Sequence, residues 1–218
     1  MSSPRKVSDS TVRRLSLYLR LLRHLRARGD ATVSSEQLAD EGGLTSAQVR
    51  KDLSFFGNFG VRGRGYDVVA LETALREILG LDREWPAIVV GAGRLGSALT
   101  AYPDFANQGF RIVALFDTDP AKQGRRLGSA KVYALEELGD FARREGISIG
   151  IVATPAGAAQ EVADRLVRAG IRGILNFAPT RIEVPHGVSL RQVNLAVELE
   201  GLSFDIAGGF RRANGEAR

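Results

Sequence analysis

The hexapeptide Gly91-Ala92-Gly93-Arg94-Leu95-Gly96 repeats glycine at the spacing G-x-G-x-x-G, and Asp117 stands 21 residues beyond its last glycine. It follows an apolar run and opens a helix-like one, the context that gives the pattern meaning. The first glycine then lets the chain turn, the second lets backbone amides approach a pyrophosphate, and the third lets a helix pack closely on a strand. The positive helix N-terminus attracts the anion. A carboxylate at Asp117 accepts hydrogen bonds from adenosine ribose hydroxyls and repels a 2′-phosphate, which favours NAD(H) over NADP(H). Arg125 and Arg126 are near enough in sequence to moderate that preference. Thr154-Pro155 and Asn176-Phe177-Ala178-Pro179 close two further apolar runs. Ligands of open sheets lie outside the carboxyl ends of the strands, so these loops are expected at the nicotinamide half, with Tyr102 approaching from the first helix.

A second group of residues suits a polyanion. Placed at about 100° per residue, the stretch opened by Thr45 sends Val49, Leu53 and Phe56 to one side and Ala47, Arg50, Lys51 and Ser54 to the other, with Ser46 at its start. A small, hydrogen-bonding, cationic face is what a helix needs in a DNA major groove. Asp52 falls on the flank, where it can pair with a neighbouring base. Behind this helix, Arg62 and Arg64 flank the tip of a glycine-rich hairpin, read as a wing. Residues 1–80 carry 13 Lys/Arg against 9 Asp/Glu, a net +4 of the chain's +5. The excess is sharpest in residues 1–28, where Arg5, Lys6, Arg13, Arg14, Arg20, Arg23, Arg26 and Arg28 face Asp9 alone among acidic residues before Asp30. Such a segment is an electrostatic footprint for nucleic acid, or the solvated face of a helix.

The elements that position these residues follow from periodicity. Val12, Leu15, Leu19 and Leu22 recur at helical spacing over residues 11–28. Ser34 with Gln37, and Thr45 with Gln48, have capping-box spacing and open two short helices around the turn Gly42-Gly43, the skeleton of a helix-turn-helix. A helix over 68–79, carrying Leu71, Leu75 and Ile78, closes this head. Beyond a linker near residues 80–86 the pattern alternates apolar strands (87–90, 111–117, 149–153, 173–175) with amphipathic helices. That predicts a parallel sheet covered on both faces, a doubly wound Rossmann-type domain. The expected division is an α/β protein with a winged helix-turn-helix at 1–80, a dinucleotide-binding and dimerisation domain at 84–208, and a disordered tail at 209–218.

Composition removes several function classes. There is no cysteine, hence no disulfide, thiolate metal site or cysteine nucleophile, and His24 and His186 are the only histidines. No apolar run reaches the roughly 18 residues of a membrane span, and the start of the chain lacks a secretory apolar segment, so a cytoplasmic protein without a membrane partner is expected. A dehydrogenase needs a general acid or base and a substrate pocket beside the nicotinamide, and neither is evident. No metal and no catalytic residue is therefore expected, and the nucleotide reads as a signal. An NAD(H)-dependent oxidoreductase carrying a DNA-binding head and a CoA-binding module remain the alternatives.

From residue 12 to 204 the chain resembles the Rex family of redox-sensing repressors. The resemblance rests on Val49-Arg50-Lys51-Asp52-Leu53-Ser54-Phe55-Phe56-Gly57, Gly63-Arg64-Gly65-Tyr66, Gly91 to Gly96 and Asn176-Phe177-Ala178-Pro179. It implies a homodimer on an inverted-repeat operator of respiratory and fermentative genes, with NADH lowering DNA affinity and NAD+ permitting it. It also implies a C-terminal helix exchanged between subunits, in keeping with the stripe Leu195, Leu199, Leu202 and Ile206. Asn194 departs from the family's usual aspartate, keeping hydrogen bonding while losing charge, which puts an ionic head-to-core latch there in doubt.

Overall fold

The computed structural model describes residues 7–61 and 63–207. Arg62, the segment containing Arg5 and Lys6, and the tail 209–218 lie outside the described residues. Contacts divide the chain into two compact units, Met1–Arg83 and Glu84–Arg218.

In the first unit, α1 (Asp9–Ala27) is capped by Ser8 and buries Leu15, Tyr18, Leu19, Leu22 and Leu25. β1 (Thr32–Val33) leads to α2 (Ser35–Gly42), where the Ser34–Gln37 capping box closes in both directions. α2 stops at Gly43, whose φ of 64° places it in the left-handed region that glycine enters without steric cost. α3 (Ser46–Ser54) is capped by Thr45, which accepts from the Gln48 amide at 3.2 Å. Only half of the expected box forms here, because the Gln48 side chain donates to Asp52 at 2.8 Å instead. β2 (Gly60–Val61) and β3 (Gly65–Asp67) make the antiparallel wing, β1 adds to the other side of β3, and α4 (Val68–Ile78) follows. Helices and sheet enclose one apolar cluster centred on Tyr18, Leu22, Leu38, Val49, Leu53 and Leu71, which makes this unit a winged helix.

The second unit is built on β4 (Trp85–Val90), β5 (Phe110–Asp117), β6 (Arg126–Leu127), β7 (Ala130–Ala134), β8 (Ile149–Val152), β9 (Gly173–Asn176) and β10 (Ser189–Gln192). Interleaved with them are α5 (Arg94–Thr100), α6 (Pro103–Asn107), a 3-10 turn Leu135–Glu137 leading into α7 (Leu138–Arg144), and α8 (Ala156–Arg168). The sheet order is β10-β9-β8-β4-β5-β7-β6, parallel throughout except for the β6–β7 hairpin. The chain therefore winds outward from β4 in one direction and then, from β8, in the other. Ligand crevices of doubly wound sheets open at that switch point. β6, β7 and β10 were not expected from the sequence: they are peripheral strands without the continuous apolar run that marks a strand buried on both faces. Ile88, Phe116, Val152 and Leu166 pack on one face of the sheet, and Val89, Leu115, Val132 and Ile151 on the other.

α9 (Leu195–Ala207) buries none of its residues. Leu195, Leu199, Leu202 and Ile206 are all exposed, Ile206 to 84%. Among the described residues no helix is long and apolar enough to cross a membrane.

Candidate nucleotide crevice and nucleic-acid interface

The three glycines of the turn after β4 differ in what they permit. Gly91, at φ 105°, donates its amide to the Phe116 carbonyl at 2.8 Å, and a Cβ there would sit 2.4 Å from the Ala153 carbonyl oxygen. At Gly96 a Cβ would lie 1.9 Å from the Gly91 oxygen, so first and third glycines serve chain packing. A Cβ on Gly93 meets nothing within 4 Å, so the second glycine faces open space. Around it lies a crevice of 450 Å³ bounded by Gly91, Gly93, Asp117, Thr154 and Pro155.

 A separate cavity of 540 Å³ lies beside the wing of the other unit. The Thr154 hydroxyl oxygen is buried at the crevice without a hydrogen-bond partner, an unusual condition that a bound polar group would relieve.

Asp117 ends β5 at the crevice. One carboxylate oxygen accepts from the Ala92 amide at 2.7 Å and from Lys122 Nζ at 3.0 Å, and the other accepts from the Asp119 amide at 2.9 Å. Burial pushes this carboxyl up, but the hydrogen bonds from Asp119, Lys122 and Ala92 outweigh it and hold the group below the usual aspartate range. Lys122 was not expected from the sequence; only its place five residues beyond Asp117 could have suggested it. With Ala92, Arg94 and Arg125 it also lines an adjoining cavity of 300 Å³. Arg126 is spent on the β6–β7 hairpin, donating to the Ser129 carbonyl at 2.8 Å.

Of the remaining expected residues, Leu95 is exposed on α5. Asn176 is 0% exposed, and its amide is used internally: it donates to the Thr180 carbonyl and to Gln192 and accepts from the Ala178 amide. Its side chain shapes the turn after β9 and offers nothing to a ligand in this conformation. Ala178 is buried on one face of the sheet while Phe177 packs on the other, as consecutive residues at a strand end must. Tyr102 is exposed, with its ring edge-on to Phe105. Tyr102, through Phe105, and Phe177 thus belong to the same face of the sheet, and the Ala178 side chain to the other.

In the winged helix, Ala47, Arg50, Lys51 and Ser54 are exposed along α3 and Ser46 is half-buried. Arg50 donates to Ser35 Oγ at 2.8 Å and to Glu36 at 3.0 Å, which brackets its guanidinium. Arg64 is exposed at the wing and shares the neighbouring cavity with Arg50. Asp52 proves to be an anchor: it is 4% exposed and accepts from Arg14 Nε at 2.6 Å, Arg14 Nη2 at 2.8 Å, Tyr18 at 2.9 Å and Gln48 at 2.8 Å. The basic segment is correspondingly narrower than its composition suggests. Arg14 is committed to Asp52, Arg23 and Arg26 to Glu72, and Arg28 to Asp30 and Glu41, whereas Arg13 and Arg20 are exposed.

A winged helix on the same chain as a doubly wound sheet with a glycine-turned crevice is the build of a ligand-responsive transcription regulator. Residues 6–54 match the family model described as a putative DNA-binding protein N-terminus, and residues 82–180 match the CoA binding domain. The redox-sensing transcriptional repressor Rex of Streptomyces coelicolor is 50% identical over 200 residues, covering 92% of this chain and 78% of that protein. That of Carboxydothermus hydrogenoformans is 50% identical over 201 residues, covering 92% and 97%. A crystal structure of RSP in complex with β-NAD+ and operator DNA superposes with a TM-score of 0.90 at 39% identity, covering 99% of this chain and 100% of that one. RSP, described as a Rex-family repressor, was also solved with β-NADH, and that structure gives a TM-score of 0.85 at 38% identity, covering 94% and 97%. The chain belongs to the Rex family of redox-sensing transcriptional repressors.

Proposed function

We propose that this chain is a homodimeric repressor that binds inverted-repeat operator DNA through α3 and the wing, and that NADH in the crevice at β4 and β8 lowers its DNA affinity while NAD+ competes without that effect. The observation that carries this reading is the pairing of an open, glycine-turned crevice with an exposed cationic recognition face on one chain. The relatives' names and the ligands of RSP support it. The crevice fits a dinucleotide: Gly93 leaves room for a pyrophosphate, Asp117 presents an ionised carboxylate to ribose hydroxyls, and Thr154 holds an unpartnered buried hydroxyl. The bound dinucleotide supplies its redox state as the signal.

Arg50, Lys51 and Ser54 face the major groove, Arg62 and Arg64 the backbone or minor groove, and Asp52 holds the reading helix against α1. Exchange of α9 between subunits would cover its exposed leucines. Discrimination between the two redox states lies where the nicotinamide binds, with Tyr102 and Phe177 brought together by the dimer. The reduced form then favours an arrangement whose two recognition helices no longer match successive major grooves. Linkage requires that bound DNA weaken NADH by the same factor by which NADH weakens DNA. A tenfold effect corresponds to about 1.4 kcal/mol.

Titrating NADH against a labelled palindromic operator at fixed salt tests the reading directly. Unchanged operator affinity at saturating NADH, or equal release by NADH and NAD+ at matched occupancy, overturns it. The match to a CoA binding domain favours CoA as a second reading. Competition between CoA and NADH distinguishes the two.

A further inference from the structure

Arg50 is held through one nitrogen. Its Nη1 donates to Ser35 Oγ at 2.8 Å and to Glu36 Oε1 at 3.0 Å, while the Ser35 hydroxyl donates to the Glu36 carboxylate at 3.3 Å, so the three side chains close a ring. Ser35 is 7% exposed and stands inside the closed Ser34–Gln37 capping box, which makes its oxygen a fixed point. An exposed ion pair alone orders a long side chain weakly. Anchored on that oxygen as well, the guanidinium keeps one direction. Its Nε and Nη2 make no hydrogen bond among the described residues. Those two N–H groups form one edge of the planar guanidinium, an edge that matches guanine O6 and N7 in a major groove. Arg50 and Glu36 also line the cavity beside the wing, so the ring sits where α3 and the wing meet.

Resting on the operator-binding reading above, we propose that Glu36 and Ser35 are positioning residues for sequence readout, ordering Arg50 before DNA arrives so that its Nε–Nη2 edge reads a guanine. A phosphate contact fixes no base and needs no such ordering, whereas a base edge is read in one direction. The sign of the charge agrees. A carboxylate on a face that meets phosphates weakens binding to DNA of any sequence. Glu36 therefore acts on the choice of sequence: it lowers affinity for non-operator DNA and spares operator binding the cost of ordering Arg50. Its side chain is 64% exposed, so its replacement leaves the core untouched.

The test uses the full chain and a labelled palindromic duplex that the wild type selects from random sequences. Fluorescence anisotropy gives its Kd and those of duplexes in which 7-deazaguanine, which lacks the N7 acceptor, replaces each half-site guanine in turn. At one position the wild type should lose about tenfold in affinity. In Arg50→Ala the same substitution should cost nothing. In Glu36→Ala the penalty should fall to about threefold, because ordering Arg50 then takes back about threefold of the gain, and a scrambled duplex should bind a few times more tightly. Glu36→Gln, whose amide oxygen still accepts from Nη1, should restore the penalty. A wild type indifferent to every 7-deazaguanine, a penalty that survives in Arg50→Ala, or one as large in Glu36→Ala as in wild type overturns the inference and leaves the operator reading standing. A wild type that selects no duplex overturns that reading and the inference with it.

Discussion

Gly93→Ala separates ligand binding from folding more sharply than any other single change in the crevice. Gly93 has φ −85° and ψ −167°, a backbone conformation open to any residue, and its added Cβ meets nothing within 4 Å. The methyl group introduces no strain, and loss of chain freedom in the unfolded state contributes about 0.4–1 kcal/mol of stability. Tm is therefore expected to stay level or rise slightly. The same methyl occupies the space through which pyrophosphate oxygens reach the backbone amides. Loss of one charge-assisted hydrogen bond costs about 1.5–3 kcal/mol, a weakening of NADH on the order of 10- to 100-fold. Gly96→Ala is the control, since its Cβ would lie 1.9 Å from the Gly91 oxygen and 3.3 Å from a Val89 methyl. Overpacking of this kind costs about 1–3 kcal/mol or more and lowers Tm. Calorimetry with NADH and thermal unfolding of both variants provide the assay. NADH affinity within twofold of wild type in Gly93→Ala would refute the pyrophosphate placement, and a fall in its Tm matching that of Gly96→Ala would refute the openness of the site.

Arg50→Ala or Lys51→Ala should cost about 1–3 kcal/mol of operator affinity where the side chain reads a base, or flatten the salt dependence by about one unit where it meets a phosphate; unchanged anisotropy titrations in both would remove α3 from recognition. Asp117→Asn should weaken NADH and narrow its advantage over NADPH, and an unchanged ratio by calorimetry would place the ribose elsewhere. Asp52→Ala leaves the buried Tyr18 hydroxyl unpaired and should destabilise the winged helix by about 3 kcal/mol in denaturant titrations. Burial pushes the Asp52 carboxyl up, yet the bonds from Arg14, Tyr18 and Gln48 outweigh it and leave its pKa lowered in the folded state. Its contribution is thus complete above the unfolded value of about 3.9 and is lost as pH falls through the folded value. Acid unfolding of Asp52→Asn should accordingly show a shallower loss of stability over that window than wild type.

Local signals were readable in the sequence because their causes are local. The Ser34–Gln37 box, the glycine turn and the apolar faces of α1 and α3 depend on residues within a few positions of one another. What was not readable depends on distant partners. Asp52 lies 38 residues from Arg14, so its flank position on α3 gave no sign of burial. Arg23 and Arg26 counted towards a nucleic-acid footprint until α4 supplied Glu72. Asn176 read as a ligand contact because it stands at a strand end, but Gln192 on the edge strand β10 claims its amide, and that strand carries too little apolar sequence to announce itself. Lys122, Glu161 and Arg165 enter the crevice from outside the glycine motif.

The Asp52 anchor bears on how such a repressor can be controlled. Arg14 and Tyr18 of α1 both bond it, and Gln48 braces it from within α3, so α3 is held to α1 rather than free to tilt within its own unit. A reading helix fixed in this way works like one jaw of a caliper: its shape is constant, and only the gap to the second jaw is adjustable. In the proposed dimer the ligand would then grade operators by the length of the spacer between half-sites, each added base pair turning one half-site by about 35° against the other. Preference for the bases within a half-site would be the same with the ligand and without it.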